Sequence, residues 1–417
     1  MKAKIEKLGL LLLGTLLGSG ANLLIQTYLA REFSLKEYGV YISILNIINL
    51  LTPFIGFGIA SFILRVYMIE GGGAKRWLKG VYEIIFYSSL TVFFLLQLWG
   101  WANNENLSMF AIYTFFFIYM LGTSLNGFMI SRLQIENKVR MLSLWQLIPN
   151  SLKLAFILFL FLFFEKNILN ISIAYALSGL LVCMFSINSM HKMRSGSVFL
   201  NFDNKNKNTE NVSKIDLIRS AFPYGLTGIF YLIYMQSSIM IVTFLKGYED
   251  VAYLGLGLVF LTALCLIPSL FFQKLYMPKI YNWSNTDKIK LKNFYIKNKT
   301  IWGILSILII ILYFIFIKYF FVNIFGSKYS DRIGIFYFIS LLVFVKYFTL
   351  NSGSIMNTEK LIDIKAKLMT KAAIANIILS IILVFYWGVY GAIMALILVE
   401  FFILLSFYKC IKNEYGF

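Results

Sequence analysis

Two lysines stand where a membrane would make lysine costly. Lys153 lies near the midpoint of an apolar run at 142–164, and Lys346 near the middle of another at 333–356. On a helix, Lys153 shares a face with Gln146 and Asn150, and Lys346 with Thr349 and Gly353. A lysine at the bilayer centre costs ~2.5–3.5 kcal/mol on an insertion scale, so it is expected to face a cavity or a partner. An ammonium in such a place can hold a phosphate or pyrophosphate. The competing explanations are snorkelling of Lys153 along its own stem, a poor reach from mid-span, and a register shift that carries Lys346 to an interface.

Amides and tyrosines form the second set. Asn22 and Gln26 lie one turn apart, below Gly14 and Gly18, and Asn46, Asn49, Pro53, Gly56 and Ala60 fall roughly along one stripe. Tyr224, Gly228, Tyr231 and Ser238 form another stripe, with Tyr234 beside it. Amides, hydroxyls and rings suit sugars, although small and amide residues in membrane helices also serve helix packing. Arg65, Arg132 and Arg219 mark span ends on one side. They can anchor to anionic headgroups, or grip a pyrophosphate bidentately at a cavity mouth. Arg31, about 180° from Asn22, is placed at the other interface.

Several chemistries lack their residues. No Walker sequence is present, so ATP hydrolysis by that route is excluded. Cys183, Cys265 and Cys410 have no metal or disulfide spacing, and the single His191 falls in a basic loop. No DxD pair or serine motif appears, and carboxylates within apolar runs are scarce, with Glu83 near one end of its run and Glu400 in the last. No cofactor or metal is expected. A membrane glycosyltransferase or polymerase would need a substantial outer loop, and none is found.

The elements that position these residues follow from the apolar runs. With 417 residues, 59% of them hydrophobic, and a mean hydropathy of +0.77, the chain is an integral membrane protein. Runs of about 20 residues, enough to cross ~30 Å of hydrocarbon, occur at 8–30, 38–64, 80–102, 108–131, 142–164 and 168–190. After a hydrophilic, Asn/Lys-rich stretch they resume at 216–245, 250–273, 300–322, 333–356, 367–387 and 389–408. Twelve spans are expected, in two six-helix lobes at 1–190 and 216–417, joined by a cytoplasmic linker at 191–215. Of 38 lysines and arginines, 29 fall on the side holding the N-terminus and 7 on the other. The positive-inside rule then puts both termini in the cytoplasm. The net charge of +19 follows that asymmetry and does not point to nucleic acid. A weak internal repeat aligns Glu37–Tyr41 with Glu249–Tyr253 and Asn150 with Asn376. Such parallel repeats relate by an axis along the membrane normal; a chance match of short strings is the alternative.

Tyr28 to Arg65 carries a family resemblance. Leu29-Ala30-Arg31, Ser34, Glu37-Tyr38-Gly39, Tyr41, Ala60-Ser61 and Arg65 resemble the opening of the polysaccharide transporters of the multidrug/oligosaccharidyl-lipid/polysaccharide exporter superfamily. The O-antigen flippases of that group are similar in length and charge. The resemblance implies an all-α, V-shaped pair of lobes around a central cavity in a bacterial cytoplasmic membrane. It also implies alternating-access transport of an undecaprenyl-pyrophosphate-linked oligosaccharide, with no bond made or broken. Implied partners are the lipid-linked substrate, membrane lipids, a polysaccharide polymerase and chain-length machinery. Lys153, Lys346, Arg65, Arg132 and Arg219 are the pyrophosphate candidates. Asn22, Gln26, Asn46, Asn49, Gln146, Asn150, Tyr224, Tyr231 and Tyr234 are the sugar candidates. Within the superfamily the alternative is a multidrug or cation exporter, which would need carboxylates in its cavity.

Overall fold

The computed structural model describes residues 2–103, 107–198, 212–358 and 360–416. Almost all of them are helical. Two compact units emerge, one from Met1–Leu24 with Ile47–Ile229, the other from Ile25–Asn46 with Phe230–Phe417. The stretch expected as a linker, 191–215, lies outside the described residues from 199 to 211. Nine described helices are long and apolar enough to cross a membrane, and a bent pair adds a tenth.

In chain order the helices are α1 (Lys2–Glu32), α2 (Leu35–Leu51), α3 (Ile59–Glu70), α4 (Val81–Asn103), α5 (Leu107–Ile135), α6 (Val139–Phe163) and α7 (Ile168–Ser195). They continue as α8 (Lys214–Lys246), α9 (Tyr248–Leu264), α10 (Leu266–Leu270), α11 (Met277–Thr286), α12 (Lys288–Tyr319), α13 (Phe321–Phe325), α14 (Gly334–Ile355) and α15 (Ile362–Tyr415).

The expected span at 38–64 is broken, and this corrects the single polar stripe read along it. Pro53 opens a short 3-10 turn, Gly56 takes a left-handed φ of 76°, and α2 and α3 meet at a bend of 42°. Proline lacks an N–H, and only glycine enters that φ region without strain. Backbone groups freed in a membrane must find partners inside the protein. Here the Gly56 N–H donates to Ser88 Oγ at 3.1 Å, and Ser124 Oγ donates to the Ile55 carbonyl at 2.6 Å. Asn46 is buried while Asn49, on the same helix α2 ahead of the break, is exposed.

Two further differences concern span number. The run at 250–273 stops being one helix after Leu264, giving α9 and the short α10. The two last runs join in α15, whose 54 residues would extend ~80 Å if straight. Gly388 interrupts it with φ 56° and ψ −132°, and a Cβ on Gly391 would sit 2.0 Å from the Leu383 carbonyl oxygen. Residues eight apart on a continuous helix stand ~12 Å apart, so α15 folds back on itself at Gly388.

Within the first unit, α5 and α7 pack closely because Gly122 and Gly179 oppose each other. A Cβ on Gly122 would lie 2.2 Å from the Gly179 carbonyl oxygen, the small-residue contact by which membrane helices approach. Leu133, Leu142, Trp145 and Val182 form a core where α5, α6 and α7 meet. In the second unit Phe260 is ringed by Tyr313, Phe321, Phe325 and Phe336.

The motif between α1 and α2 resolves into separate tasks, all inside the second unit. Ser34 and Glu37 form a capping box: the Ser34 N–H donates to Glu37 Oε2 at 2.9 Å and the Glu37 N–H to Ser34 Oγ at 3.2 Å. Tyr38 donates to Gln26 Oε1 at 3.2 Å, and Gln26 Nε2 donates to Tyr41 Oη at 3.1 Å. Gly39 permits backbone contact, since a Cβ there would be 1.7 Å from the Tyr248 carbonyl oxygen. Lys328 caps the end of α1, donating to the Arg31 carbonyl at 2.8 Å and also to that of Phe33. Burial holds its ammonium below the usual lysine range, against the opposing pull of Glu32 and Glu37.

Candidate functional site

Lys346 is 8% exposed in the second unit, and its Nζ lies 2.8 Å from Glu400 Oε2 on α15. Glu400 is fully buried, receives a hydrogen bond from the Tyr234 hydroxyl of α8, and has no hydrogen-bond partner for Oε1. The rings of Tyr231 and Tyr234 stand 5.7 and 5.3 Å from the ammonium. Asn376 anchors the same stretch of α8. Its Nδ2 donates to the Tyr234 carbonyl at 3.0 Å and to Ser237 Oγ at 2.9 Å, while Ser238 and Ser380 share a hydrogen bond of 3.0 Å. Packing thus brings three of the sequence candidates, Lys346, Tyr231 and Tyr234, together as one cluster, and Glu400 completes it. The positive charge of Lys346 is balanced by a carboxylate in contact with it.

Lys153 in the first unit is placed differently. It is 4% exposed, and its Nζ donates to Tyr119 Oη at 3.3 Å. It lies 5.2 Å from the ring centroids of both Tyr119 and Tyr175. Those rings meet edge to face at 4.8 Å, held by the α5–α7 glycine contact next to them. Among the described residues no carboxylate pairs with Lys153. Aromatic faces attract a desolvated cation by ~2 kcal/mol or more, yet they leave its formal charge uncompensated. An anion entering here would gain a partner without displacing another one.

The companions of Lys153 on its helix have other work. Asn150 Nδ2 donates to the Gly18 carbonyl of α1 at 2.9 Å, and Gln146 accepts a hydrogen bond from Thr15. Both amides tie α6 to α1, and Asn376 ties α15 to α8. Asn22 is partly buried. Gln26 is tied to Tyr38 and Tyr41, and Asn46 is buried with Oδ1 lacking a partner. Arg65 and Arg219 are exposed, whereas Arg132 is partly buried with Nε 3.9 Å from Glu136. The side chain of Tyr224 lies outside those described. Sequence spacing passed over Tyr119, Tyr175 and the Glu400 partnership, because each belongs to a helix remote in the chain. An isolated carboxylate in an apolar run was the one available sign.

The family model described as polysaccharide biosynthesis protein matches residues 5–280, which include Lys153, Tyr119, Tyr175 and the α1–α2 motif. The chain belongs to this family. No curated protein matches the sequence. The fold is similar to a multidrug resistance MATE family transporter of the MOP superfamily in its inward-facing conformation, with TM-score 0.69, 14% identity, and coverage of 96% of this chain and 95% of that one. It is also similar to the lipid II flippase MurJ in an inward closed conformation, with TM-score 0.65, 18% identity, and coverage of 97% and 89%. A third similar structure is a MOP superfamily transporter from Pyrococcus furiosus described as having a binding pocket of reverse polarity, with TM-score 0.62, 13% identity, and coverage of 98% and 96%. The chain is a multi-pass membrane protein whose fold is similar to that of these transporters.

Proposed function

We propose that this chain is a flippase for a lipid-linked oligosaccharide. The substrate is an undecaprenyl-pyrophosphate-linked O-antigen or capsule repeat unit. It moves from the cytoplasmic to the outer face of a bacterial cytoplasmic membrane without any bond being made or broken. The carrying observation is Lys153, a buried cation in the membrane with two tyrosines and, among the described residues, no acid beside it. Such a charge is matched by an anionic headgroup, and the polysaccharide biosynthesis family supplies the biological setting.

In this proposal twelve spans form two six-helix lobes, 1–190 and 216–417, joined by a cytoplasmic linker at 191–215, with both termini cytoplasmic. One lobe rocks against the other around a central cavity. Hydroxyls left unsatisfied in hydrocarbon would cost several kcal/mol each, so the sugar needs polar walls, for which Tyr231, Asn46 and Asn49 are candidates. Arg65, Arg132 and Arg219 collect the pyrophosphate at the entrance, and Lys153 receives it. Lys346 plays a lesser part, because Glu400 already neutralises it. A polysaccharide polymerase and chain-length machinery would act on the delivered units.

Glu400 also bears on the cation-exporter reading, which requires a carboxylate free to bind a cation. Its contact with Lys346 at 2.8 Å cancels that charge and favours the anionic substrate. Deleting the gene and labelling spheroplasts with a membrane-impermeant sugar reagent tests the proposal. Complete repeat units trapped on the cytoplasmic face are expected. Single units that reach the outer face without lengthening would indicate a polymerase, and an unchanged profile an exporter of something else.

A further inference from the structure

A cavity of about 260 Å³ opens within the second unit between α12, α14 and α15, apart from the Lys346 cluster. Its lining includes Tyr295 and Lys299 of α12, Phe348 and Asn351 of α14, and Leu405 and Tyr408 of α15. Lys299, Leu405 and Tyr408 are exposed, whereas Tyr295 and Asn351 are buried. The mouth is therefore cationic, aromatic and aliphatic, and the floor is polar.

The floor contains an unanswered group. Asn351 is 1% exposed, and its Nδ2 donates to the Tyr295 carbonyl at 3.2 Å. Its Oδ1 has no partner. Tyr295 Oη and Ser352 Oγ pair with each other at 3.1 Å, and among the described residues no donor, these two included, is in hydrogen-bond reach of that oxygen. A buried acceptor without a donor costs about 1–3 kcal/mol. The missing complement is a hydroxyl or an N–H.

Depth identifies the ligand. Lys288, Lys290, Lys292, Lys297 and Lys299 crowd the start of α12, and no charged residue follows before Lys318. Lys299 thus sits where α12 leaves the headgroups for hydrocarbon, as Tyr408 does just before Lys409 on α15. Its ammonium lies 5.3 Å from the Tyr408 ring, and among the described residues no acid pairs with it. Basic pockets between membrane helices at this level suit anionic lipid headgroups. One turn further into the membrane from Phe348, Phe344 is exposed and meets it edge to face at 5.2 Å. The two rings form an apolar track on which an acyl chain can lie.

We infer that this cavity binds an anionic phospholipid whose headgroup carries a hydroxyl, of the phosphatidylglycerol type. Lys299 holds the phosphate, the headgroup hydroxyl donates to Asn351 Oδ1, and an acyl chain follows Phe348 and Phe344. The bound lipid joins α12, α14 and both ends of the pocket wall without entering the Lys346 cluster.

Native mass spectrometry of the purified full chain tests this, with phosphatidylglycerol, phosphatidylmethanol and phosphatidylcholine of matched acyl chains supplied in equal amounts. Phosphatidylmethanol keeps the charge and lacks the hydroxyl, and phosphatidylcholine lacks the net charge. Wild type should retain phosphatidylglycerol about tenfold over phosphatidylcholine and severalfold over phosphatidylmethanol. Lys299→Gln, an exposed position whose change leaves the melting temperature in place, should bring phosphatidylglycerol and phosphatidylcholine to parity. Equal retention of those two by wild type, or an unchanged ratio in Lys299→Gln, would overturn the site. Equal retention of phosphatidylglycerol and phosphatidylmethanol would overturn the hydroxyl contact and with it the choice of lipid. Displacement of the phospholipid by a pyrophosphate-linked oligosaccharide would reassign the cavity to the transport substrate.

Discussion

If Glu400 were changed to Gln, Lys346 would keep its burial and lose its counter-charge. Breaking one side of a buried pair costs about 3–5 kcal/mol, whereas replacing both members by apolar groups is often neutral. Glu400→Gln and Lys346→Met should each lower the melting temperature of the purified protein sharply, and Lys346→Met with Glu400→Leu should recover most of it. A double change as damaging as the sum of the two singles would show that the pair does not act as a unit. Lys153 is expected to behave in the opposite way. Its surroundings are rings rather than an acid, so Lys153→Met should leave stability nearly unchanged or raise it. Both lysines were legible in the sequence because a lysine interrupts an apolar run wherever it occurs. What each one meets was not, since Glu400 is 54 positions from Lys346 and Tyr119 is 34 from Lys153. No helical spacing connects such distances; only packing does.

At the level of elements, the α1–α2 junction ties sequence pattern to geometry most tightly. Ser34 and Glu37 stood in the sequence only as members of the family motif, and packing shows them to be a capping box; Ser34→Ala should destabilise by roughly 1 kcal/mol, as a lost N-cap does, read as a fall in melting temperature. Gly39→Val should do far more, because its Cβ position coincides with the Tyr248 backbone. The experiment that checks it is expression level together with thermal unfolding, and a Gly39→Val protein that melts like wild type would refute the close approach. The break between α2 and α3 had its signals in Pro53, Gly56 and Gly58. Pro53 and Gly56 looked like members of a continuous stripe because helix periodicity was extended across them. What turns them into a bend is the pair of hydroxyls from Ser88 and Ser124 that accept and donate to the exposed backbone. Ser124→Ala, which leaves the Ile55 carbonyl unmet in a membrane interior, should cost about 1–3 kcal/mol. Asn150 and Asn376 show the same economy at a larger spacing, each binding a backbone carbonyl of another helix, α1 and α8 respectively.

For the whole molecule, hydropathy and charge were enough to indicate a multi-pass helical protein, because lipid permits so few backbone arrangements. The number of passes was harder to read from the helices themselves. α15 hides a reversal inside one helical stretch, and the run at 250–273 is split after Leu264. Reporter fusions should place the C-terminal end and residue 388 on opposite sides of the membrane, as a hairpin at Gly388 requires. The central claim is that the uncompensated charge of Lys153 carries a pyrophosphate-linked substrate across the membrane. The most direct measurement uses cells whose sole copy is Lys153→Ala or Lys153→Arg, with the protein level matched to wild type. Their lipid-linked oligosaccharide is then probed on spheroplasts by an impermeant sugar label. Lys153→Ala should leave complete units inaccessible and the surface without polysaccharide, and Lys153→Arg should restore part of both. Wild-type labelling and surface polysaccharide in Lys153→Ala cells would contradict the account.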